Sequence, residues 1–370
     1  MTIMQSGMPS GQTPGHLAAR ILAWYDRHHR EMPWRVPPTA RAAGVRPDPY
    51  HVWLSEVMLQ QTAVAAVGSY FTTFTTRWPT VRALAGAPLE TVLAAWAGLG
   101  YYARARNLHR TAVAVAARPD GRFPETEAEL VRLPGIGPYT AAAIAAIAFG
   151  RPATVVDGNV ERVMARLHAE TDPLPGVKKR LRAHAAALTP SQRPGDYAQA
   201  VMDLGATICT PRRPACGLCP WRSGCRGRQA DIAETLPRRA PRPAKPIRHG
   251  TAFLALDRAG RVLTERRPER GLLGGMLALP STGWAAGPPA NPAVPAPDPT
   301  PPFEADWRPA GEVRHTFTHF HLRLAVLWTR VEVLPGGVGP GEAPPAIEAE
   351  AAMPTVFAKA SRLGRAAAGM

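Results

Sequence analysis

Cys209, Cys216, Cys219 and Cys225 are the only cysteines in this 370-residue chain, and all four fall within seventeen consecutive residues. A cluster this tight dictates the local backbone: the loop must wrap until its thiols converge, either in disulfides or around metal. Two disulfides would suit a secreted scaffold, but the first fifteen residues have neither a basic start nor an apolar core. In a cytoplasmic protein thiols stay reduced, which leaves metal. Zinc ribbons pair two short knuckles across a longer gap, whereas here the gaps are six, two and five residues, with one tight knuckle. Four thiolates so spaced suit a [4Fe–4S] cluster, one cysteine per iron corner, with zinc as the alternative. Arg212, Arg213, Arg222, Arg226 and Arg228 surround them, so the wrapped loop presents a basic knob shaped to grip a phosphate backbone.

The remaining sequence divides in two. The chain is long enough for two domains, each with its own core. Residues 16–228 read as helical, with alanine- and leucine-rich segments divided by proline and glycine. Residues 229–246, proline-rich and basic, read as a linker. From 247 to 365 the texture changes to a smaller α/β domain: "HGTAFLALDRAGRVLTERR" predicts two strands around the turn 257–260. "FHLRLAVLWTRVEV" alternates as a half-buried strand. Residues 285–309, rich in proline and alanine, read as a disordered insertion. The longest apolar run, "AAAIAAIAFG", is about half of what a membrane span needs. The expectation is a soluble cytoplasmic protein, working at the nucleoid. The net charge of +16 points to a polyanionic partner, most simply nucleic acid, although the excess is carried by arginine and only four residues are lysines.

Three segments carry chemistry. In "LPGIGPYTAAAIAAIAFG" (133–150), Gly135 and Gly137 form a tight turn that opens onto a helix. After "ETEAELVRL" this reads as a helix–hairpin–helix, whose backbone amides approach a phosphate closely. In "TVVDGNVERVMARL" (154–167), Asp157 follows a β-branched run and precedes a helical pattern, the position of a helix cap. A carboxylate there could stabilise developing positive charge. In "WLSEVMLQQT" (53–62), Glu56 has Val52, Trp53 and Leu59 as its helical neighbours. A carboxyl on an apolar face is costly when ionised, so its pKa is expected to rise, and it becomes a candidate general acid. A raised glutamate beside an ionised aspartate is the arrangement that cleaves glycosidic bonds.

These segments, with "GLGYYARARNL" and the cysteine spacing, occur in the order found in helix–hairpin–helix DNA glycosylases with an iron–sulfur cluster. The chain most resembles the MutY-type adenine DNA glycosylases, which remove adenine mispaired with 8-oxoguanine. The resemblance covers residues 20–228 and extends through "GLLGGMLALP" and "RHTFTHFHLRL" into a Nudix-like second domain. It implies that Glu56 protonates adenine, that Asp157 stabilises the sugar cation or its adduct, and that Asn159 orients the site. Tyr139 stands where lyase-type relatives carry a catalytic lysine. Trp34 and Arg35 fall near the adenine pocket, Gln61 and Tyr101 match residues that wedge into the base stack, and Gly275 matches a close approach to DNA. The family's Phe-Ser-His loop reads Phe317, Thr318, His319 here. Threonine keeps the hydroxyl and adds a methyl group. The stretch 35–49 is longer than the usual connection. Double-stranded DNA carrying 8-oxoguanine·adenine pairs is the implied partner, and a monomer the implied state.

A glycosylase/lyase of the endonuclease III kind needs an amine for a Schiff base. Residues 1–177 contain no lysine, and Lys178 and Lys179 lie in a polar run. A Nudix pyrophosphohydrolase needs paired glutamates for Mg²⁺, and a proline-rich stretch stands in their place. A catalytically inactive DNA-binding module would lack Glu56 or Asp157. His315, His319 and His321 fall on one face of the expected strand, with no carboxylate or cysteine nearby to complete a metal site.

Overall fold

The computed structural model describes residues 13–241, 244–268, 271–286, 300–335 and 346–370. They form two compact units, Met1–Pro241 and Arg242–Met370. Among the described residues, no helix is long and apolar enough to cross a membrane.

The first unit is helical throughout. Its first helix, Pro14–His28, starts where Thr13 accepts a hydrogen bond from the His16 amide, and buries Leu17, Ile21, Trp24 and Tyr25. The Pro49–Leu59 helix, capped by Asp48, buries eight of its eleven residues, Glu56 among them. A helix this apolar has no solvent face, which is why it sits at the centre of the unit. Pro138–Ile147 is equally buried, and its alanines let neighbouring helices approach closely. Gly158–His168 and Pro194–Thr207 pack against each other, and the cysteine loop follows the latter. The long 35–49 connection holds a short helix, Pro38–Ala42. Its Arg41 reaches Asp196 at 3.2 Å and the Ile147 carbonyl at 3.3 Å, clasping the two helix ends.

Two expected boundaries move. The helix before the hairpin is a single turn, Glu127–Leu130, with Thr126 bonded to both the Glu129 amide and its carboxylate. Beyond it the Arg132 and Leu133 amides bond three residues back, to the Glu129 and Leu130 carbonyls, so the chain tightens into turns before Pro134. Residues 230–241, within the expected linker, pack on the first unit instead. Ala233 and Leu236 are buried, and Leu174 exchanges backbone hydrogen bonds with Arg238 and Ala240.

The second unit is built on a four-stranded sheet in the order Ala285–Ala286, Ile247–Leu256, His321–Arg330, Arg308–Thr316. The two central strands run parallel, from Ile247 opposite His321 to Leu256 opposite Arg330, and the outer pairs are antiparallel. Leu322, Leu324 and Val326 face the core, as alternation predicts, and Val356, Phe357 and Ala360 of the Thr355–Ala367 helix cover them. Residues 285–286 and 308–309 pair as strand, so the expected insertion does not reach its stated ends, and 287–299 lie outside the described residues. The three histidines do not share a face. The chain reverses at 317–320, so His321 pairs with Thr316 on one face while His315 pairs with Leu322 on the other.

Candidate active site and nucleic-acid interface

The Glu56 helix, the hairpin and the start of the Gly158–His168 helix wall a cleft of about 750 Å³. Glu56, Asp157, Tyr139, Asn159, Trp34, Arg35, Gln61, Gly135 and Gly137 all line it, although they are spread over more than 120 positions of sequence. Glu56 is only 7% exposed. Burial lifts its carboxyl to about 7; the Tyr139 hydroxyl opposes that rise, the Asp157 charge adds to it, and the Arg35 charge opposes it. The same surroundings, burial first and then Glu56, hold the Tyr139 phenol well above its ordinary value, so Tyr139 is a neutral donor. Its hydroxyl also rests 3.6 Å from the Met202 sulfur.

Asp157 caps the Gly158–His168 helix, accepting from the Val160 amide at 2.7 Å and from the Asn159 side chain at 2.8 Å. Arg162, one turn on, donates to Asn159 Oδ1 at 2.9 Å, to the Gly205 carbonyl at 2.7 Å and to the Cys209 carbonyl at 2.7 Å. A continuous line of hydrogen bonds therefore joins the cysteine loop to the Asp157 carboxylate. Local sequence encodes the cap: an extended β-branched run, then Asp, then glycine and a helical pattern.

Asp203, with no exposed surface and outside the cleft lining, accepts from Arg30 Nε at 2.6 Å and Arg35 Nη1 at 2.7 Å. Arg35 is thereby fixed beside Glu56, and Trp34 is buried with its ring edge on Phe71. Arg30, Gln199 and Met202 line the cleft as well. Sequence reading missed them together with Asp203, since only tertiary packing brings residues 168 and 173 positions apart into contact.

The cleft is lined by the hairpin and by one strained turn, that of Gln61. Gly135 has φ +72, and a Cβ there would meet Asn107 Cβ at 2.5 Å, so only glycine fits. The Thr111 hydroxyl donates to the Pro134 carbonyl, tying the hairpin to the Ala103–Ala116 helix. Gly137 caps the next helix with no side chain over its free amides, the arrangement that accepts a phosphate oxygen. Gln61 and Tyr101 have φ +58 and +49, sparsely populated for side-chain-bearing residues, and both are exposed. Tyr101 stands outside the cleft lining, on its own loop.

None of the four cysteines forms a disulfide, and all line one small cavity with Arg166, Pro214 and Ala233. Arg166, 1% exposed, donates to Cys209 Sγ at 3.3 Å and to the carbonyls of Thr210, Pro211 and Leu236. A buried cation among thiols calls for thiolates, so the donor set and its charge fit a [4Fe–4S] cluster. Among the described residues no three His, Cys, Asp or Glu side chains gather on one ion position. The loop is anchored by Trp221, whose ring NH donates to the Leu17 carbonyl at 2.8 Å, and it exposes Arg212, Arg213, Arg222 and Arg228.

In the second unit, Gly275 lies in the turn between strands Glu265–Arg266 and Leu277–Ala278 with φ +69. Phe317, Thr318 and His319 form the hairpin turn before His321–Arg330. The Phe317 ring is half-buried, 4.8 Å from Phe320 and 5.6 Å from Trp284, so it anchors the turn. Thr318 and His319 are exposed.

Residues 54–187 match the family profile of HhH-GPD superfamily base excision DNA repair proteins. Residues 209–225 match the iron–sulfur binding domain of endonuclease III, and 251–362 the NUDIX domain. The human adenine DNA glycosylase is 38% identical over 84% of this chain and 66% of its own length. That of Rattus norvegicus is 38% identical over 83% of this chain and 69% of its own, and that of Mycobacterium tuberculosis 40% identical over 69% and 80%. The chain thus spans about two thirds of the length of the human and rat relatives. The structure of a thermostable thymine-DNA glycosylase is similar at a TM-score of 0.51 and 27% identity, covering 59% of this chain and 97% of that one.

Proposed function

The chain belongs to the adenine DNA glycosylases of the HhH-GPD superfamily, and from that premise we propose that it excises adenine paired with 8-oxoguanine, and with guanine, by hydrolysing the N-glycosidic bond without cutting the DNA backbone. One observation carries the reading: a carboxyl lifted to about 7, Glu56, shares a cleft with a helix-capping carboxylate, Asp157. A carboxyl raised this far above the ordinary glutamate range can hold a proton near neutral pH. An adenine flipped into the cleft takes it on a ring nitrogen, which turns the base into a neutral leaving group. As the C1′–N9 bond breaks, positive charge collects on the sugar, and Asp157 supplies fixed negative charge to it. Water then adds to C1′, passing its proton to the Glu56 carboxylate left by the first step, and leaves an abasic site. General acid catalysis of this kind contributes about 10² to 10⁴ in rate.

The lining supports hydrolysis over lyase chemistry. Its cations, Arg30 and Arg35, are both held by Asp203, and a guanidinium does not form a Schiff base. The [4Fe–4S] cluster held by Cys209, Cys216, Cys219 and Cys225 supplies iron–thiolate cross-links within the loop, while the chain's own groups handle every proton of the excision. In the second unit, Thr318 and His319 are the groups free to read the altered edge of 8-oxoguanine, with Gly275 approaching the backbone. We read the active form as a monomer on duplex DNA, working at the nucleoid.

The test is incubation with duplexes carrying adenine opposite 8-oxoguanine, guanine, cytosine or thymine, resolved with and without alkali. Excision favouring 8-oxoguanine, with strand breaks only after alkali, is expected. Breaks without alkali would restore the lyase, and equal rates opposite all four bases would remove the lesion preference.

A further inference from the structure

Arg104 lies in the first turn of the Ala103–Ala116 helix, where a basic residue gains nothing from the helix dipole. Its guanidinium is spent elsewhere. Nη1 donates to the carbonyls of Val57 and Met58, at 3.1 and 2.9 Å. Nη2 donates to the carbonyls of Leu99 and Gly100, at 2.9 and 3.3 Å, and to the Thr62 hydroxyl at 3.1 Å. The same group lies over the rings of Trp96 and Tyr101, 5.3 and 5.6 Å from their centres. These partners come from three segments. Val57 and Met58 end the helix that carries Glu56, Thr62 closes the turn that delivers Gln61, and Leu99 and Gly100 lead directly into Tyr101.

Gln61 and Tyr101 are the two exposed side chains at this edge held at positive φ, a conformation that persists only where the surroundings enforce it. Both flank the single guanidinium. Capping the Glu56 helix would need only the Val57 and Met58 contacts; the other three fix the spacing between the two strained turns. Arginine suits this because its planar fork reaches separate segments at once, whereas an ammonium is one point of charge.

We propose that Arg104 is a positioning residue for base extrusion, locking the Gln61 turn and the Tyr101 loop to each other and to the end of the Glu56 helix, so that both side chains enter the stack together. The proposal rests on reading Gln61 and Tyr101 as the residues that wedge into the DNA. Arg104 touches no reacting atom, and its loss slows the escape of the base from the stack while leaving proton transfer to a base already in the cleft intact.

The experiment uses the full chain and the variants Arg104→Lys and Arg104→Met. Extrusion is followed by the fluorescence rise of 2-aminopurine as target base opposite 8-oxoguanine. Excision is followed in single turnovers with adenine opposite 8-oxoguanine or opposite an abasic-site analogue, where no pair must be broken. Because extrusion costs a few kcal/mol for a paired base and least for an unpaired one, excision opposite 8-oxoguanine should slow about 10- to 100-fold. Opposite the analogue it should stay within about threefold of wild type, the fluorescence rise should shrink, and lysine should not restore it. Equal losses on both duplexes with unchanged fluorescence would overturn the proposal, leaving Arg104 a fold-stabilising residue. Should both variants fail to fold, Thr62→Val removes one contact of the lock and must reduce the fluorescence rise; an unchanged rise overturns the proposal equally. Gln61→Ala and Tyr101→Ala separate the two levels. If they extrude the base like wild type, the wedge reading itself fails. If they lose extrusion while the Arg104 variants keep it, the lock alone fails.

Discussion

Asn159 donates its side-chain amide to the Asp157 carboxylate at 2.8 Å, and there is no room behind it: a Cβ on Gly205 would lie 2.6 Å from Asn159 Cβ. Gly205 belongs to the Pro194–Thr207 helix, so helix packing sets how far Asn159 reaches toward the Asp157 carboxylate. Arg162 reinforces the arrangement, holding Asn159, the Gly205 carbonyl and the Cys209 carbonyl together.

Gly205→Ala should therefore displace Asn159 and loosen Asp157. Overpacking of this kind costs about 1–3 kcal/mol, and if it falls on the transition state the single-turnover rate drops roughly 10- to 100-fold. DNA affinity and iron content should be retained, since neither the hairpin nor the thiols move. Wild-type rates from a folded, iron-loaded variant would show that Asp157 does not depend on this support.

Glu56 makes a prediction in which activity and stability move oppositely. On the proposed role of Glu56 as proton donor the neutral form is the active one, so excision should fall about tenfold per pH unit above about 7, the value to which burial lifts the group. The sign for stability follows from the same shift. The folded state binds the proton more tightly than the unfolded state, so stability is fully present below the unfolded value near 4.5 and is lost as pH rises through about 7. Glu56→Gln avoids that loss. It should abolish excision, keep DNA binding, and at pH 8 be more stable than wild type by roughly 2–3 kcal/mol, an upper bound, with the difference vanishing near pH 4. Denaturant melts at the two pH values check it.

The residues legible in the sequence are those whose signal is local. Asp157 is announced by its own cap sequence, Glu56 by its apolar helical neighbours, and the cysteines by spacing. The Asp203–Arg35 pair and the five contacts of Arg104 have no local signature, because tertiary packing alone creates them. The second unit failed differently. "TFTHFHLRL" has no glycine, proline or asparagine to mark a turn, so 315–321 reads as one strand when it is the tip of a hairpin. Composition also misled at 230–241, where prolines suggested a linker while Ala233 and Leu236 supplied the apolar groups that dock it.

Iron removal should expose the debt of Arg166. This buried guanidinium has carbonyls and a thiol for partners, and its charge is balanced only when the loop's thiolates carry the cluster. Leaving a buried charge unpaired costs about 3–5 kcal/mol, which for a unit of this size lowers Tm by roughly 10 °C. The purified chain should be brown, with about four irons per molecule. Colourless, active protein holding one zinc, or apo protein melting with the holo form, would count against it.

The exposed tip of the second unit carries the last prediction. Phe317 is packed between Phe320 and Trp284, and Lys245 donates to its carbonyl at 2.9 Å. Phe317→Ala would therefore unsettle the hairpin itself and could not separate recognition from folding. Thr318 and His319 have no such burden, being exposed. If they read 8-oxoguanine, each good contact to a base is worth about 1–3 kcal/mol. Thr318→Ala with His319→Ala should then cut the preference for adenine opposite 8-oxoguanine over adenine opposite guanine by about tenfold or more, leaving Tm unchanged. Ending the chain after Pro241, where the first unit closes, should produce the same loss of preference with excision from A·G largely kept, because Glu56, Asp157 and the hairpin all lie before it. The measurement is the ratio of single-turnover rates and affinities on the two duplexes. Should both fall equally, the second unit contributes charge or stability to DNA binding, and lesion recognition must be sought in the first.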